Sequence, residues 1–164
     1  MSGTNVASGN SFVASVDMLK AVLLGDERWI SVSGISASLE NTPKPEGGTS
    51  SHIRFVTGGL TYSDLVLTRA VDEKSILLVN WFASHAQAVI PGTGSVRIMK
   101  ADGSTLHTYN FSHLVPINYK GPDLGMDKGT SVATESVTFK HHGFADSLLG
   151  MAAGAVMGAV KSLI

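Results

Sequence analysis

Apolar and polar residues alternate along this chain in short runs, the pattern of strands with one buried face. Residues 11–18 set Phe12, Ala14, Val16 and Met18 against Val13, Ser15 and Asp17, which predicts an opening strand. Leu19 to Leu24 is a brief apolar run closed by the turn signal Gly25-Asp26. Trp29 to Leu39 predicts the first long strand, with Ile30 and Val32 on its buried face and Ser31 and Ser33 opposite. Strands are also predicted over residues 53–57 and 62–71.

Between them, residues 40–52 contain Pro43, Pro45, Gly47 and Gly48 and no large apolar side chain. Such a stretch has too little to bury to fold onto a core of its own, and it is longer than a two-to-five residue hairpin turn. It predicts a protruding arm. Thr42, Pro43, Lys44, Pro45, Glu46, Gly47 and Gly48 form its candidate contact with a neighbouring subunit.

The period changes at Asp72-Glu73, a helix-start signal. Leu78, Trp81, Phe82, His85 and Val89 recur at helical spacing, so residues 73–89 predict the one clear amphipathic helix, stopped by Pro91-Gly92. Leu78, Trp81 and Phe82 are its candidate packing residues, and a sheet face must receive them. Residues 95–100 and 104–111 predict two strands joined through Asp102-Gly103, the strongest hairpin signal in the chain. The second continues over 114–119 with a bend at Pro116. After a loop, residues 131–141 predict the last strand, with Val132, Thr134, Ser136, Thr138 and Lys140 on one face and Ala133, Glu135, Val137 and Phe139 on the other.

The expected fold is mainly β (α+β): a sandwich or barrel of about seven strands with one flanking helix, a long arm and a helical C-terminal tail. A leader is expected over residues 1–10, the β domain over 11–144 and a Gly/Ala-rich extension over 145–164. Gly150, Gly154 and Gly158 in that extension fall four apart, so on a helix they would let another backbone pack closely. Residues 147–160, between Asp146 and Lys161, are too few at ~1.5 Å each to span a ~30 Å hydrocarbon layer. Packing against the body or a like subunit is the preferred reading.

Composition narrows the function. A net charge of −1 with no run of like charges argues against stable nucleic-acid binding, which needs clustered Lys and Arg. Absence of cysteine removes disulfides, thiolate nucleophiles and Cys-based metal sites. The first residues show no basic start followed by an apolar block, so no signal peptide is expected. His107, His113 and His141-His142 lack a carboxylate at ligand spacing, and no metal or cofactor is expected. Gly92-Thr93-Gly94-Ser95 follows a helix and leads into a strand, the reverse of a phosphate-binding loop. Asp64, Asp72, Glu73 and Glu135 read as caps and solvated strand positions, and no nucleophile elbow is present. The chain is not expected to be an enzyme.

Several phrases, in this order, resemble the tail-tube proteins of contractile phages and phage-derived contractile injection systems. Trp29-Ile30-Ser31-Val32-Ser33-Gly34-Ile35 resembles that family's aromatic-x-x-Val-Ser-Gly-Leu strand, and Gly58-Gly59-Leu60-Thr61 its Pro-Gly-Leu-x-Lys element. Leu67-Thr68-Arg69-Ala70-Val71 is similar to its Leu-Lys-Arg-Gly-Val strand before a Trp-bearing helix, here with Trp81. Tyr119-Lys120-Gly121-Pro122-Asp123-Leu124 resembles the loop before the last strand. Val132-Ala133-Thr134-Glu135-Ser136-Val137 and His141-His142-Gly143-Phe144 resemble Val-Ala-Ile-Glu-Ser-Leu and Ala-His-Glu-Gly-Leu. The likeness spans about residues 11–144. It departs at Ala70, where the family has Gly, at His141-His142, where it has His-Glu, and in an arm that keeps only Glu46-Gly47-Gly48.

The resemblance implies hexameric rings stacked into a tube, with strands of each copy closing a shared inner barrel lined by a polar face such as Thr134, Ser136 and Thr138. It implies a conduit for DNA or protein cargo, assembled in the bacterial cytoplasm and carried on a phage or released injection particle. Partners would be further copies, a surrounding sheath, and baseplate, spike and cap proteins, with no membrane binding. The alternatives are a tube-initiating or capping ring, a secreted type VI tube protein, and, in a different class, a monomeric β-sandwich ligand-binding module.

Overall fold

The computed structural model describes residues 7–9, 11–25, 27–45, 47–48 and 54–144. Eight strands, two α-helices and one 3-10 turn make up this part: β1 (Phe12–Val16), α1 (Asp17–Val22), β2 (Ser31–Ser33), β3 (Ala37–Lys44), β4 (Arg54–Tyr62), β5 (Leu65–Ala70), α2 (Ser75–Ser84), β6 (Gly92–Met99), β7 (Thr105–Lys120) and β8 (Thr134–Lys140), with the 3-10 turn at Met126–Lys128. Six strands form one antiparallel sheet in the order β1-β6-β7-β8-β5-β2, and β3-β4 form a separate two-stranded sheet.

β7 is the spine of the large sheet. Its first part pairs with β6, ending at Leu114 opposite Gly92, and from Val115 it pairs with β8. The changeover is marked by His113 in the left-handed region (φ 54°) and by a bulge between Pro116 and Asn118. Proline has no N–H for a ladder, and the bulge absorbs it. The sheet bends there into two packed halves, β1-β6-β7 and β7-β8-β5-β2.

The core lies between those halves. Ala14, Val16, Val96, Phe111 and Leu114 of one half join Leu65, Leu67, Val137 and Phe139 of the other in one buried cluster. The alternation over β8 appears as expected, with Glu135, Val137 and Phe139 turned inward. The helices close the side. Leu78 of α2 is fully buried, Trp81 lies 6.2 Å from Phe139, and Phe82 lies 6.2 Å from Tyr119, between ring centroids.

Four local expectations differ from the structure. The run after β1 is a helix, α1, whose Leu19 is buried and which packs on β6 and α2; α2 is therefore not the sole helix before residue 145. The predicted long strand 29–39 is broken at Gly34 (φ 87°), where any Cβ would overlap the Asp64 carbonyl oxygen. Ile30, expected on a buried face, is 53% exposed. The regular helix spans Ser75–Ser84, shorter than 73–89, and continues only as turns. Residues 145–164, with Gly150, Gly154 and Gly158, lie outside the described part.

Candidate functional site

Three features leave the body unfinished: a long hairpin, a polar sheet face and two free strand edges.

The arm is a β-hairpin. β3 and β4 pair from Ala37 opposite Tyr62 to Lys44 opposite Arg54, so the prolines and polar residues that suggested an irregular arm sit in a two-stranded ribbon. Pro43 is tolerated because each strand of such a ribbon has an open edge. At ~3.4 Å per residue the eight residues of β3 extend over roughly 27 Å. Every residue of β3 is exposed, as are all of β4 except Tyr62, so none of the described residues covers the ribbon. Thr42, Pro43 and Lys44 lie in β3, Pro45 follows it, and Gly47 and Gly48 form the turn; Glu46 lies outside the described residues.

The ribbon is two-faced. Leu39 pairs with Leu60 and Asn41 with Thr57, so β4 spends one more residue than β3 over this step and bulges at Gly58-Gly59, opposite Glu40. The bulge inverts the alternation of β4. Phe55, opposite Pro43, therefore stands on the same face as Leu39, Leu60 and Tyr62, with Asn41 and Thr57 between them, while Ser38, Glu40, Thr42, Lys44 and Thr61 stand on the other with Val56 as its one large apolar residue. Phe55 (67% exposed) and Leu39 (54%) make this apolar stripe a surface suited to contact.

The polar face belongs to β7-β8-β5-β2. Register places Ser31 beside Thr68, Thr68 beside Ser136 and Ser136 beside Lys120; it also places Ser33 beside Val66, Val66 beside Thr138 and Thr138 beside Asn118. Ala70 pairs with Thr134. Thr134, Ser136 and Thr138 thus lie on one continuous small, polar and weakly charged surface. Among the described residues this four-stranded half also has two unpaired edges: β2 on one side, and on the other the part of β7 beyond Leu114, where β6 has ended.

Beneath that face lies a buried charge cluster that the sequence alone misassigned. Glu135, expected at a solvated strand position, is 1% exposed and directly opposite Arg69, which is 2% exposed. Its carboxylate accepts hydrogen bonds from Ser75 Oγ and Tyr119 Oη, both at 2.7 Å, and lies 3.7 Å from Arg69 Nε. Arg69 Nη2 also pairs with Asp72. Asp72 accepts the Lys74 N–H, and the Asp72 N–H donates to Ser75 Oγ, so one network anchors the start of α2 to β5, β7 and β8. Burial, then the hydrogen bond to Glu135 and its charge, push the Tyr119 hydroxyl up to about 12.

A second aromatic cluster holds the chain exit. Phe144 packs on Tyr62, Tyr109 and Phe111, and buried His141 sits among them, edge-on to Phe111, with Nε2 2.9 Å from the Ser63 carbonyl oxygen. Burial lowers the His141 pKa despite that bond and the nearby Asp64 charge. His113 stacks on His142 at 4.0 Å, and His107 meets Tyr109 edge-on. No three metal-ligating side chains converge among the described residues, and no described helix is long and apolar enough to cross a membrane.

The likeness to known proteins is consistent across sequence and structure. Residues 11–145 match the family model described as T4-like virus tail tube protein gp19. A chain from the cryo-EM structure of the anti-feeding prophage baseplate superposes with a TM-score of 0.71 at 16% identity, covering 85% of this chain and 94% of that one. A chain from the sheath-tube complex of the extracellular contractile injection system PVC gives 0.66 at 20% identity, covering 83% and 87%. One from the anti-feeding prophage tube-terminating cap gives 0.63 at 15% identity, covering 85% and 89%. No curated protein matches the sequence significantly. The chain belongs to the T4-like virus tail tube protein gp19 family, whose members are structural tube proteins and not enzymes.

Proposed function

We propose that this protein is an inner-tube subunit of a contractile tail or injection particle, closing into hexameric rings that stack as a hollow conduit for DNA or protein cargo. One observation carries this reading: a four-stranded half-sheet with a polar face, a buried reverse face and, among the described residues, an unpaired strand at each edge. Unpaired edges invite pairing with another chain, and ring closure removes them. A barrel built from many such half-sheets is too wide for side chains to fill and leaves an aqueous bore, which suits the Ser and Thr of the outward face.

Within this arrangement Thr134, Ser136 and Thr138 line the bore. The exposed stripe of Phe55, Leu39 and Leu60 on the hairpin docks on the adjacent ring, with residues 42–48 at its tip. Head-to-tail docking of like rings gives an open polymer. α2, with Ile76 60% exposed and Leu77 38% exposed, faces outward toward a surrounding sheath. The structures superposed above come from a baseplate, a sheath-tube complex and a cap, so partners of these kinds fit here as well. A ring that starts or caps the tube is the second reading, favoured by the baseplate and cap neighbours; it would form rings without long tubes.

Engineered disulfides test the shared sheet, aided by the absence of native cysteine. Ser31 or Ser33 on β2 and Asn118 on β7 lie on opposite edges of one half-sheet, three strand spacings or ~14 Å apart. That exceeds the ~7 Å reach of a disulfide, so a bond can form only between copies. Ser31→Cys or Ser33→Cys combined with Asn118→Cys should give a reducible ladder of linked chains. Unlinked chains alone, in assembled material, would contradict the proposed pairing.

A further inference from the structure

We infer that the apolar slot between the two end strands of the six-stranded sheet receives the chain's own C-terminal segment, Leu148 and Leu149 first. The slot has a volume of about 280 Å³ and is walled by Phe12, Val96 and Ile98 from one half and Ile30, Val32 and Ile35 from the other. β1 and β2 are the outermost strands, so the sheet curls enough to bring its ends together but leaves the seam unfilled. An apolar slot of this size open to water is a surface that needs a cover.

The exit point of the chain names the cover. Phe144 rests on Tyr109 and Phe111, with ring centroids 5.4 and 5.7 Å away. Tyr109 is the cross-strand partner of Val96, and Phe12 is the partner of Ile98. These residues share one face of β1-β6-β7, so the described chain ends on the same apolar floor that runs into the slot. Four and five residues later come Leu148 and Leu149, the first large apolar side chains of the segment. At ~3.5 Å per residue they reach ~14–17 Å, against the ~5 Å that separates paired strands.

Chemistry agrees with reach. Residues 147–160 carry no charge, which matches uncharged walls. Ala7, Ser8, Gly9 and Ser11 of the N-terminal stretch line one side of the slot, but Met1 to Asn5 read Met-Ser-Gly-Thr-Asn and offer no adjacent pair of large apolar side chains to fill it. This inference concerns a single chain and does not depend on the tube reading.

Disulfide trapping tests it on the full-length, dilute, unassembled protein. Ile30→Cys, at a half-exposed wall position, is combined singly with Leu148→Cys or Leu149→Cys. At least one pair should oxidise within a chain at least tenfold more completely than a control pair of Leu124→Cys with Leu149→Cys, read by intact mass and non-reducing electrophoresis. A second measurement uses Leu148→Ser with Leu149→Ser, which should lower the melting temperature by several degrees and raise binding of an apolar fluorescent dye. No intrachain bond from either position, or bonds only between chains, overturns the inference. So do an unchanged melting temperature and unchanged dye binding in the serine variant.

Discussion

The Tyr119 hydroxyl donates a 2.7 Å hydrogen bond to a Glu135 carboxylate that is buried opposite Arg69. Removing one member of such a buried set leaves another uncompensated, which typically costs 3–5 kcal/mol. Glu135→Ala should therefore lower unfolding free energy by about 3 kcal/mol or more in chemical denaturation, because Arg69 retains only Asp72. Tyr119→Phe removes one bond and should cost about 1–3 kcal/mol. A loss below about 0.5 kcal/mol for Glu135→Ala would show that the cluster does not anchor α2.

Tyr119 also sets an alkaline limit. Burial and the Glu135 carboxylate raise its folded-state pKa from the ordinary 10.0 to about 12, so the protonated hydroxyl is favoured in the folded chain. That stabilisation is complete below pH 10 and is lost as pH climbs through 10 to about 12. In an ultraviolet titration of the three tyrosines, one should ionise late, and Tyr119→Phe should remove that late step. Three normal ionisations would refute the burial of this hydroxyl.

His141 works at the acid end. Burial lowers its pKa from 6.5, so the neutral ring is favoured in the folded state and its contribution is present above pH 6.5. It is lost as pH falls through the lowered value. Thermal stability should drop as pH falls below 6.5, and His141→Gln should flatten that drop. An equally steep profile in the variant would assign the acid response to other groups.

The hairpin separates folding from assembly. Phe55→Ser on the exposed stripe should leave subunit stability within about 0.5 kcal/mol, as surface changes usually do, while abolishing stacking of rings. Replacing residues 41–57 by a short Asn-Gly turn should do the same. Normal tube lengths from either variant would remove the hairpin from the ring-to-ring contact.

The bore has a labelling signature. Thr138→Cys should react with a small maleimide in subunits and tubes alike, whereas a maleimide on a long polyethylene glycol should label only disassembled subunits. Equal labelling of intact tubes by both reagents would place Thr138 on an outer surface.

Period-two patterning made β8, the β6-β7 hairpin and the shared face of Val137 and Phe139 legible from sequence, because alternation is a local property. Tertiary pairing was not legible. Glu135 reads as a solvated carboxylate until register sets it against Arg69, sixty-six positions earlier on a neighbouring strand. α1 was hidden because its six residues carry less than two turns of periodicity and no side-chain cap. The hairpin was hidden by Pro43, Pro45 and the glycines, which signal irregular chain locally. Its two-faced character depends on the Gly58-Gly59 bulge, and only the pairing of Leu39 with Leu60 and Asn41 with Thr57 reveals it. Gly34 carries a signal in retrospect: a glycine inside an alternating run marks a place where another backbone comes close.

Solution mass of the purified protein, measured by native mass spectrometry across a concentration series, tests the central claim most directly. The proposed tube reading, with edges shared in rings of six, predicts closed rings of six 17.1 kDa chains, about 103 kDa, and integral stacks of them. A single 17.1 kDa species persisting at the highest concentration, with β2 and the second half of β7 still unpaired, would contradict it.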